Sequence, residues 1–371
     1  MKYKFSFDTQ SYKDYADILF FSTLGLSIFG CVMIFSVTSH INNFIFLKKQ
    51  ILAIIIGILL CGLVYNLDLN LFKKLTYPLT FFGFILLISV FFFPAKNGAH
   101  RWINIPFFGN FQPSELIKVI LVLFVAKYVD LYRSKIINYS RPLWILMITM
   151  FIFCFLIMLQ PDIGTPLLII TVLILTLFVS SITLKKNVVF KILIGLIFIL
   201  ILGFFSKPYR IARLKAMLNP WQYKSTVGYQ LVQSYLSLAR GHFSGCGLGN
   251  GIFKEYYLPE AHTDFIFCMI GEELGFIGTT GIIFVYTLIC FLGLSIAYRC
   301  CVNFKNFYGG LIVFGLTLNI VLQAYISIAM TIGLLPTKGM GLPFVSYGGS
   351  SIIVNFLSIG LILNIWRRCY K

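Results

Sequence analysis

The stretch Pro259-Glu260-Ala261-His262-Thr263-Asp264-Phe265-Ile266-Phe267-Cys268-Met269-Ile270 marks the point where polar sequence gives way to an apolar helix. It closes a polar island, Ser206 to Asp264, set in an otherwise lipid-loving chain. The island carries a run of basic residues and the clustered glycines Gly241, Gly245, Gly247 and Gly249. A carboxylate at the mouth of a membrane helix, facing a basic loop, points to chemistry on an anionic substrate at the membrane surface.

Outward from that point, composition sets the class. The 371 residues are 59% hydrophobic and 11% charged, with mean hydropathy +0.91, which excludes an ordinary soluble domain. Apolar runs recur at lengths that cross a hydrocarbon core of about 30 Å. The chain therefore reads as one all-α polytopic membrane domain over residues 1–371. Ten candidate spans stand at 16–38, 50–67, 76–94, 113–130, 143–160, 164–182, 188–206, 265–297, 308–334 and 349–366. Pro161 supplies the break in the tight Gln160-Pro161-Asp162-Ile163 connection. The eighth run is long and interrupted by glycines, so it is expected to tilt or kink. Met1 to Tyr15 is polar, and the first apolar run has no small-residue cleavage pattern, so it reads as an uncleaved span.

An even number of spans puts both termini on one side. Lys and Arg number roughly sixteen on the terminal side and roughly twelve on the other. About seven of the twelve lie in the one long loop, 207–264, where the charge rule weakens. Both termini are thus expected in the cytoplasm, and the loop between the seventh and eighth spans outside. Cytoplasmic retention cannot then explain Lys207, Arg210, Arg213, Lys215, Lys224, Arg240 and Lys254. They read either as an anion-binding surface for a pyrophosphate or lipid headgroup, or as a solvated basic face. The scatter of basic residues between spans, without a continuous stripe, argues against nucleic acid as a partner.

The nine cysteines show no CxxC pair or metal-ligand spacing, so neither a zinc site nor a disulfide framework is expected. Acidic residues are few, twelve in all, and ionisable groups at membrane depth usually pair or line a cavity. Glu115 and Lys118 share a helical face at i, i+3 and could pair. Gly271-Glu272-Glu273-Leu274-Gly275 sets two carboxylates in a small-xxx-small pattern. They read as supporting residues, with Lys118 or Arg101 as candidate partners. Asp264 could serve as a catalytic base or as a helix N-cap. Thr263 could cap equally well, and His262 points elsewhere on any helix or strand.

These motifs, in this order, resemble the SEDS family of polytopic peptidoglycan glycosyltransferases, which includes FtsW and RodA. The resemblance covers most of the chain. It rests on Asn97-Gly98-Ala99-His100-Arg101-Trp102-Ile103, Gln112-Pro113-Ser114-Glu115 with Lys118, and Gln160-Pro161-Asp162-Ile163-Gly164-Thr165. It continues through Tyr209-Arg210 with Arg213, Asn219-Pro220-Trp221, Gly228-Tyr229-Gln230-Leu231-Val232-Gln233-Ser234, and Pro259 to Gly275. It closes with Leu335-Pro336-Thr337-Lys338-Gly339 and Ser346-Tyr347-Gly348-Gly349-Ser350-Ser351. The Pro259–Asp264 and Leu335–Gly339 segments look like the division version, FtsW, more than the elongation version, RodA. His100, Asn219 and the Arg240-Gly241-His242 triplet depart from the family's usual residues.

The resemblance implies an enzyme that extends glycan strands from lipid II, a disaccharide-pentapeptide on undecaprenyl pyrophosphate. An α-linked donor giving a β-1,4 product requires inversion in one displacement. That needs a base for the incoming hydroxyl and charge stabilisation for the departing pyrophosphate. By resemblance Asp264 is the base, while Arg101, Lys118, Arg210, Arg213 and Lys338 are candidates for the pyrophosphate. Gln112, Glu115, Gln230, Gln233, His262, Glu272 and Glu273 are candidate polar lining or support. The sequence establishes no cofactor; a divalent cation could assist the pyrophosphate, although no carboxylate cluster in the loop demands one. The family implies work beside a single-pass class B penicillin-binding transpeptidase (FtsI-like in division) and other division proteins, at the septum of a bacterial inner membrane. Two rival readings stay open: a lipid II flippase, whose translocation path Glu115, Lys118 and Glu272 would suit equally well, and a non-enzymatic scaffold of a division complex.

Overall fold

The structure is a computed structural model that describes residues 10–39, 44–95, 99–105, 109–138, 140–180, 208–255 and 258–370. Among the described residues, six helices precede the long loop: α1 Gln10–Thr38, α2 Ile45–Asn66, α3 Leu69–Ser89, α4 Pro113–Asn138, α5 Ser140–Leu159 and α6 Gly164–Val179. The loop itself contributes α7 Pro208–Leu218 and α8 Tyr229–Gly241. After it come α9 Ile266–Val302, α10 Phe307–Thr331 and α11 Gly349–Tyr370. Nine of the ten expected spans coincide with a helix, and the seventh, 188–206, lies outside the described residues. The all-α expectation needs one amendment. Residues Ile103–Ile105 (β1) and Gly109–Phe111 (β2) pair antiparallel, with Asn104 opposite Asn110.

Seven described helices are long and apolar enough to cross a membrane, and α6 is a shorter apolar one. This is a multi-pass membrane protein. Phe21, Phe92, Phe276, Phe284 and Phe291 are all exposed on the outside of the bundle, where lipid tails are the natural solvent. The fourth span is not among the seven, because α4 carries Glu115, Lys118, Lys127 and Asp130. Its residues Ile117 to Val129 are buried throughout, so protein surrounds it on every side. Charges are tolerated there because they face neighbours and not lipid.

Polar side chains close the helix ends. Asp68 accepts the Asn70 amide at 3.3 Å and starts α3 directly after α2, which moves Lys73 and Lys74 from an expected loop into a helix. Asn364 of α11 donates to the carbonyls of Val64, Tyr65 and Leu67 at 2.6, 3.1 and 2.7 Å. Those carbonyls lie in and just past the last turn of α2, where intrahelical donors run out. The same two helices pack closely along their length: a Cβ on Gly360 would stand 2.7 Å from the Cys61 carbonyl oxygen.

The expected interruption of the eighth span falls at Gly275, whose φ of 66° and ψ of −159° are open to glycine and to almost nothing else. At about 1.5 Å per residue, an unbroken helix of 37 residues would far exceed the hydrocarbon core. The break frees backbone groups that must find partners, and loop residues 242–247 supply them. Cys246 N and Gly247 N donate to the carbonyls of Glu272 and Glu273, both at 3.0 Å. Phe276 N and Ile277 N donate to the carbonyls of His242 and Phe243 at 3.0 and 3.2 Å. A turn of the outer loop is thus spliced into the helix, and Ile266 to Glu273 beyond it are buried without exception.

Candidate active site

Asp264 sits in the turn before α9, half-buried, with Glu260 exposed beside it. Neither Asp264 nor Thr263 caps the helix. The N-cap position is Phe265 with no side-chain cap, and the Thr263 hydroxyl donates to Glu260 Oε2 at 2.8 Å. No described residue donates a hydrogen bond to the Asp264 carboxylate. Burial, helped by the Glu260 charge and opposed by Arg101 and Arg213, pushes its pKa up to about 7. An ordinary Asp would be a much weaker base.

The segment after α10 forms the opposite wall. Ser346 Oγ donates to the Thr263 carbonyl at 2.6 Å, and Tyr347 N donates to the His262 carbonyl at 3.0 Å. Gly339 lies against the carboxylate itself, where a Cβ would stand 3.1 Å from Asp264 Oδ2. Gln50 of α2 locks this wall from a third side. Its Nε2 donates to the Ser346 carbonyl at 3.1 Å, and its Oε1 accepts the Gly348 amide at 3.2 Å. His262 packs its ring on Phe46 and Tyr347 at 4.7 and 5.7 Å. Burial pushes its imidazole pKa down, against the opposing pull of Glu260.

Cations reach the same place from three separate segments. Arg101, just before β1, donates from Nε to the Gln160 carbonyl at 2.8 Å and from a terminal nitrogen to the Pro161 carbonyl. Arg213 of α7 donates to the Thr337 carbonyl at 2.8 Å. Lys338 is half-buried, with its chain beside Gly164. Burial lowers its pKa while Asp162 pulls the other way. Arg210 is buried with its Nε 3.2 Å from the Tyr209 hydroxyl.

Lys118 is placed differently. Its ammonium meets both Glu115 oxygens at 3.0 Å and Gln323 Oε1 at 2.5 Å, inside the bundle. Gln323 in turn donates to the Gly341 carbonyl at 3.1 Å, so this pair supports the wall that holds Gly339. Gln112 bonds Ser114 and, through its amide, Ser350. Gln230 and Gln233 stand half-buried in the first turns of α8, and their side chains bond no described residue.

Two expectations need correcting. Glu272 and Glu273 do not pair with Lys118 or Arg101. Glu273 takes Lys254 at 2.9 Å and Ser36 of α1 at 2.7 and 2.5 Å, and Glu272 takes Arg240 at 3.4 Å. The kink at Gly275 turns this part of α9 toward the outer loop, which decides the partners. Lys254 and Arg240 consequently leave the basic loop's supply of anion-binding charge. Gln50 and Gln323 carry structural weight at the site and were missed. The available signal was a glutamine inside an apolar run, which burial in lipid would forbid.

Among the described residues, no three His, Cys, Asp or Glu side chains stand together as a metal-ligand set.

The sequence from residue 17 to 371 matches the family described as "Cell cycle protein", FTSW_RODA_SPOVE. The chain belongs to this family. It is similar to the "Probable peptidoglycan glycosyltransferase FtsW" of Geobacter sp. (strain M18), at 37% identity covering 92% of this chain and 94% of that protein. The protein of the same description from Wigglesworthia glossinidia brevipalpis is 38% identical, covering 94% and 92%. A chain of the solved structure "Structural coordination of polymerization and crosslinking by a peptidoglycan synthase complex" superposes with a TM-score of 0.77. It is 25% identical and covers 95% of this chain and 98% of its own. The FTSW_RODA_SPOVE family and the polytopic helical fold therefore agree from two directions.

Proposed function

We propose that this protein is a peptidoglycan glycosyltransferase that polymerises lipid II into glycan strands at the outer face of the bacterial inner membrane, in septal wall synthesis. The observation that carries the reading is Asp264. It is a half-buried carboxylate, free of hydrogen bonds to described residues, with Arg101 and Arg213 close enough to act on it electrostatically. Asp264 accepts the proton of the acceptor sugar's 4-hydroxyl as its oxygen attacks the donor's anomeric carbon. The bond to pyrophosphate breaks on the opposite face and the configuration inverts. A base whose pKa lies near 7 matches that task at neutral pH far better than an ordinary carboxylate.

Arg101, Arg213 and Lys338 hold the departing pyrophosphate, Arg with paired contacts and Lys as a point charge. Arg210, buried beside Tyr209, and the Glu115–Lys118 pair shape the cation-bearing segments. Both termini lie in the cytoplasm, and the lipid tails enter sideways between helices. The superposing complex couples polymerization with crosslinking by its own description. A single-pass class B penicillin-binding transpeptidase is the corresponding partner here, together with other division proteins.

The test is direct. Purified protein in lipid vesicles, given labelled lipid II with and without the transpeptidase, yields glycan chains, and Asp264→Asn yields none while still folding. Equal chain formation by wild type and Asp264→Asn would remove Asp264 as the base. Transfer of lipid II across the vesicle without polymer would favour a flippase.

A further inference from the structure

Asp264 stands at the closed end of a loop whose two legs are clamped together by carboxylates. On one leg, Ile252 N and Phe253 N donate to Glu272 Oε1 at 2.7 and 3.4 Å. One residue further, Lys254 Nζ donates to Glu273 Oε1 at 2.9 Å. The partners are 20 and 19 residues apart in sequence, and Asp264 lies between them. Within the loop, Leu258 N bonds the Phe253 carbonyl at 3.1 Å and Phe265 N bonds the Glu260 carbonyl at 3.4 Å.

Glu272 and Glu273 are 0% and 1% exposed, and burying two adjacent carboxylates is unfavourable. The helix break does not require them, since the backbone of residues 242–247 already satisfies it. What carboxylates add is capacity to accept from several donors on separate segments. Glu272 gathers Ile252 N, Phe253 N and Arg240. Glu273 gathers Lys254 and, from α1, Ser36. Lys254 also donates to the Gly249 carbonyl at 2.6 Å, which extends the clamp to the glycine turn.

The geometry points to Glu273 and Lys254, backed by Glu272, as positioning residues: a buried ion-pair clamp that fixes where Asp264 stands against Gly339 and the cations. The inference rests on the reading of Asp264 as the base. The clamp touches no reacting atom and acts through the loop. A carboxylate held to a fraction of an ångström reacts, and the same carboxylate on a slack loop does not. The charged groups acting on Asp264 are Glu260, Arg101 and Arg213, and the clamp contains none of them.

The experiment compares wild type with Glu273→Gln, Lys254→Arg, Lys254→Met and the double variant Glu273→Gln/Lys254→Met, full-length in vesicles with labelled lipid II. With the clamp loosened, kcat falls about tenfold or more while KM for lipid II changes little. Water reaching Asp264 moves the acid limb of the pH–rate profile downward by about a unit or more. Amide hydrogen exchange speeds up over residues 252–255 and 266–270. Lys254→Arg, which keeps the charge, recovers most of the rate. The double variant leaves no uncompensated buried charge, so it keeps the fold if either single variant loses it.

A folded double variant with wild-type kcat and an unmoved acid limb would overturn the clamp. So would a double variant that cannot fold, because the pair would then serve the fold alone. If wild type and Asp264→Asn proved equally active, the assignment of the base would fail. The exchange data would then still decide whether the legs are clamped.

Discussion

The Ser346 hydroxyl donates to the Thr263 carbonyl at 2.6 Å and accepts the Leu342 amide at 2.7 Å. One small side chain thus joins the residue before Asp264 to the segment that carries Gly339. Ser346→Ala leaves both backbone groups unpaired in a buried place, at a cost of about 1–3 kcal/mol. Thermal unfolding of the variant shows a modest loss of stability, and polymerisation falls more steeply than stability does. Equal activity in Ser346→Ala and wild type would show that the two walls are held without this bond.

The pH dependence has a definite sign. Asp264 must be ionised to act, and its pKa is raised to about 7, so the rate climbs as pH rises through that value and levels above it. Arg101→Ala or Arg213→Ala removes a cation that lowers the pKa, which moves the limb to higher pH. Glu260→Gln removes a charge that raises it, which moves the limb lower. A limb near the ordinary carboxylate range in wild type would mean that Asp264 is solvated in the working enzyme.

The same shift carries a stability consequence. A carboxyl whose folded pKa is raised favours the fold while protonated, and that contribution is lost as pH rises from the ordinary value of 3.8 through about 7. Asp264→Asn cannot ionise. Its Tm therefore exceeds that of wild type above pH ~7, with the gap closing in acid, although its polymerisation is abolished.

Gly339→Ala places a methyl group 3.1 Å from Asp264 Oδ2, in the space that the acceptor hydroxyl must enter. Backbone strain is not involved there. The expected outcome is a folded protein with normal Tm and a rate reduced by about 10²-fold, read by single-turnover glycan formation.

Gly275→Ala tests the splice in α9. The new Cβ would lie 2.3 Å from Gly245 N and 2.6 Å from the Phe243 carbonyl oxygen, at a φ of 66°. Several kcal/mol of strain follow, about 2–4, and recovery of folded protein by size-exclusion chromatography drops sharply.

The buried Glu115–Lys118 pair separates support from substrate contact. Lys118→Met strands Glu115 and destabilises by about 3–5 kcal/mol, whereas Glu115→Leu/Lys118→Met restores most of the stability. Gln323 Oε1 loses its Lys118 donor in both variants, so with Lys118 acting only through Gln323 and Gly341 the double variant recovers Tm and activity together, in part. Stability without activity would assign Lys118 to the pyrophosphate itself.

Much of this protein was decided locally, by side chains that lipid either accepts or refuses. Runs of apolar residues fix the spans, Pro161 the break between α5 and α6, the glycines the kink in α9, and Asp264 stands out as a carboxylate at a helix mouth. The order of motifs from Arg101 to Ser351 is likewise written along the chain and carries the family. Partner choice was not legible in this way. Glu272 and Glu273 could have faced Lys118, Arg101 or the loop, and only the turn at Gly275 with the inserted residues 242–247 gives them Arg240, Lys254 and Ser36. Gln50 and Gln323 became structural supports only when α2 and α10 were brought beside the segment from Gly339 to Gly348. Spacing along a helix sets which residues share a face, but which face meets which neighbour depends on contacts between segments from 18 to 296 residues apart. Those contacts exist only once the bundle has closed.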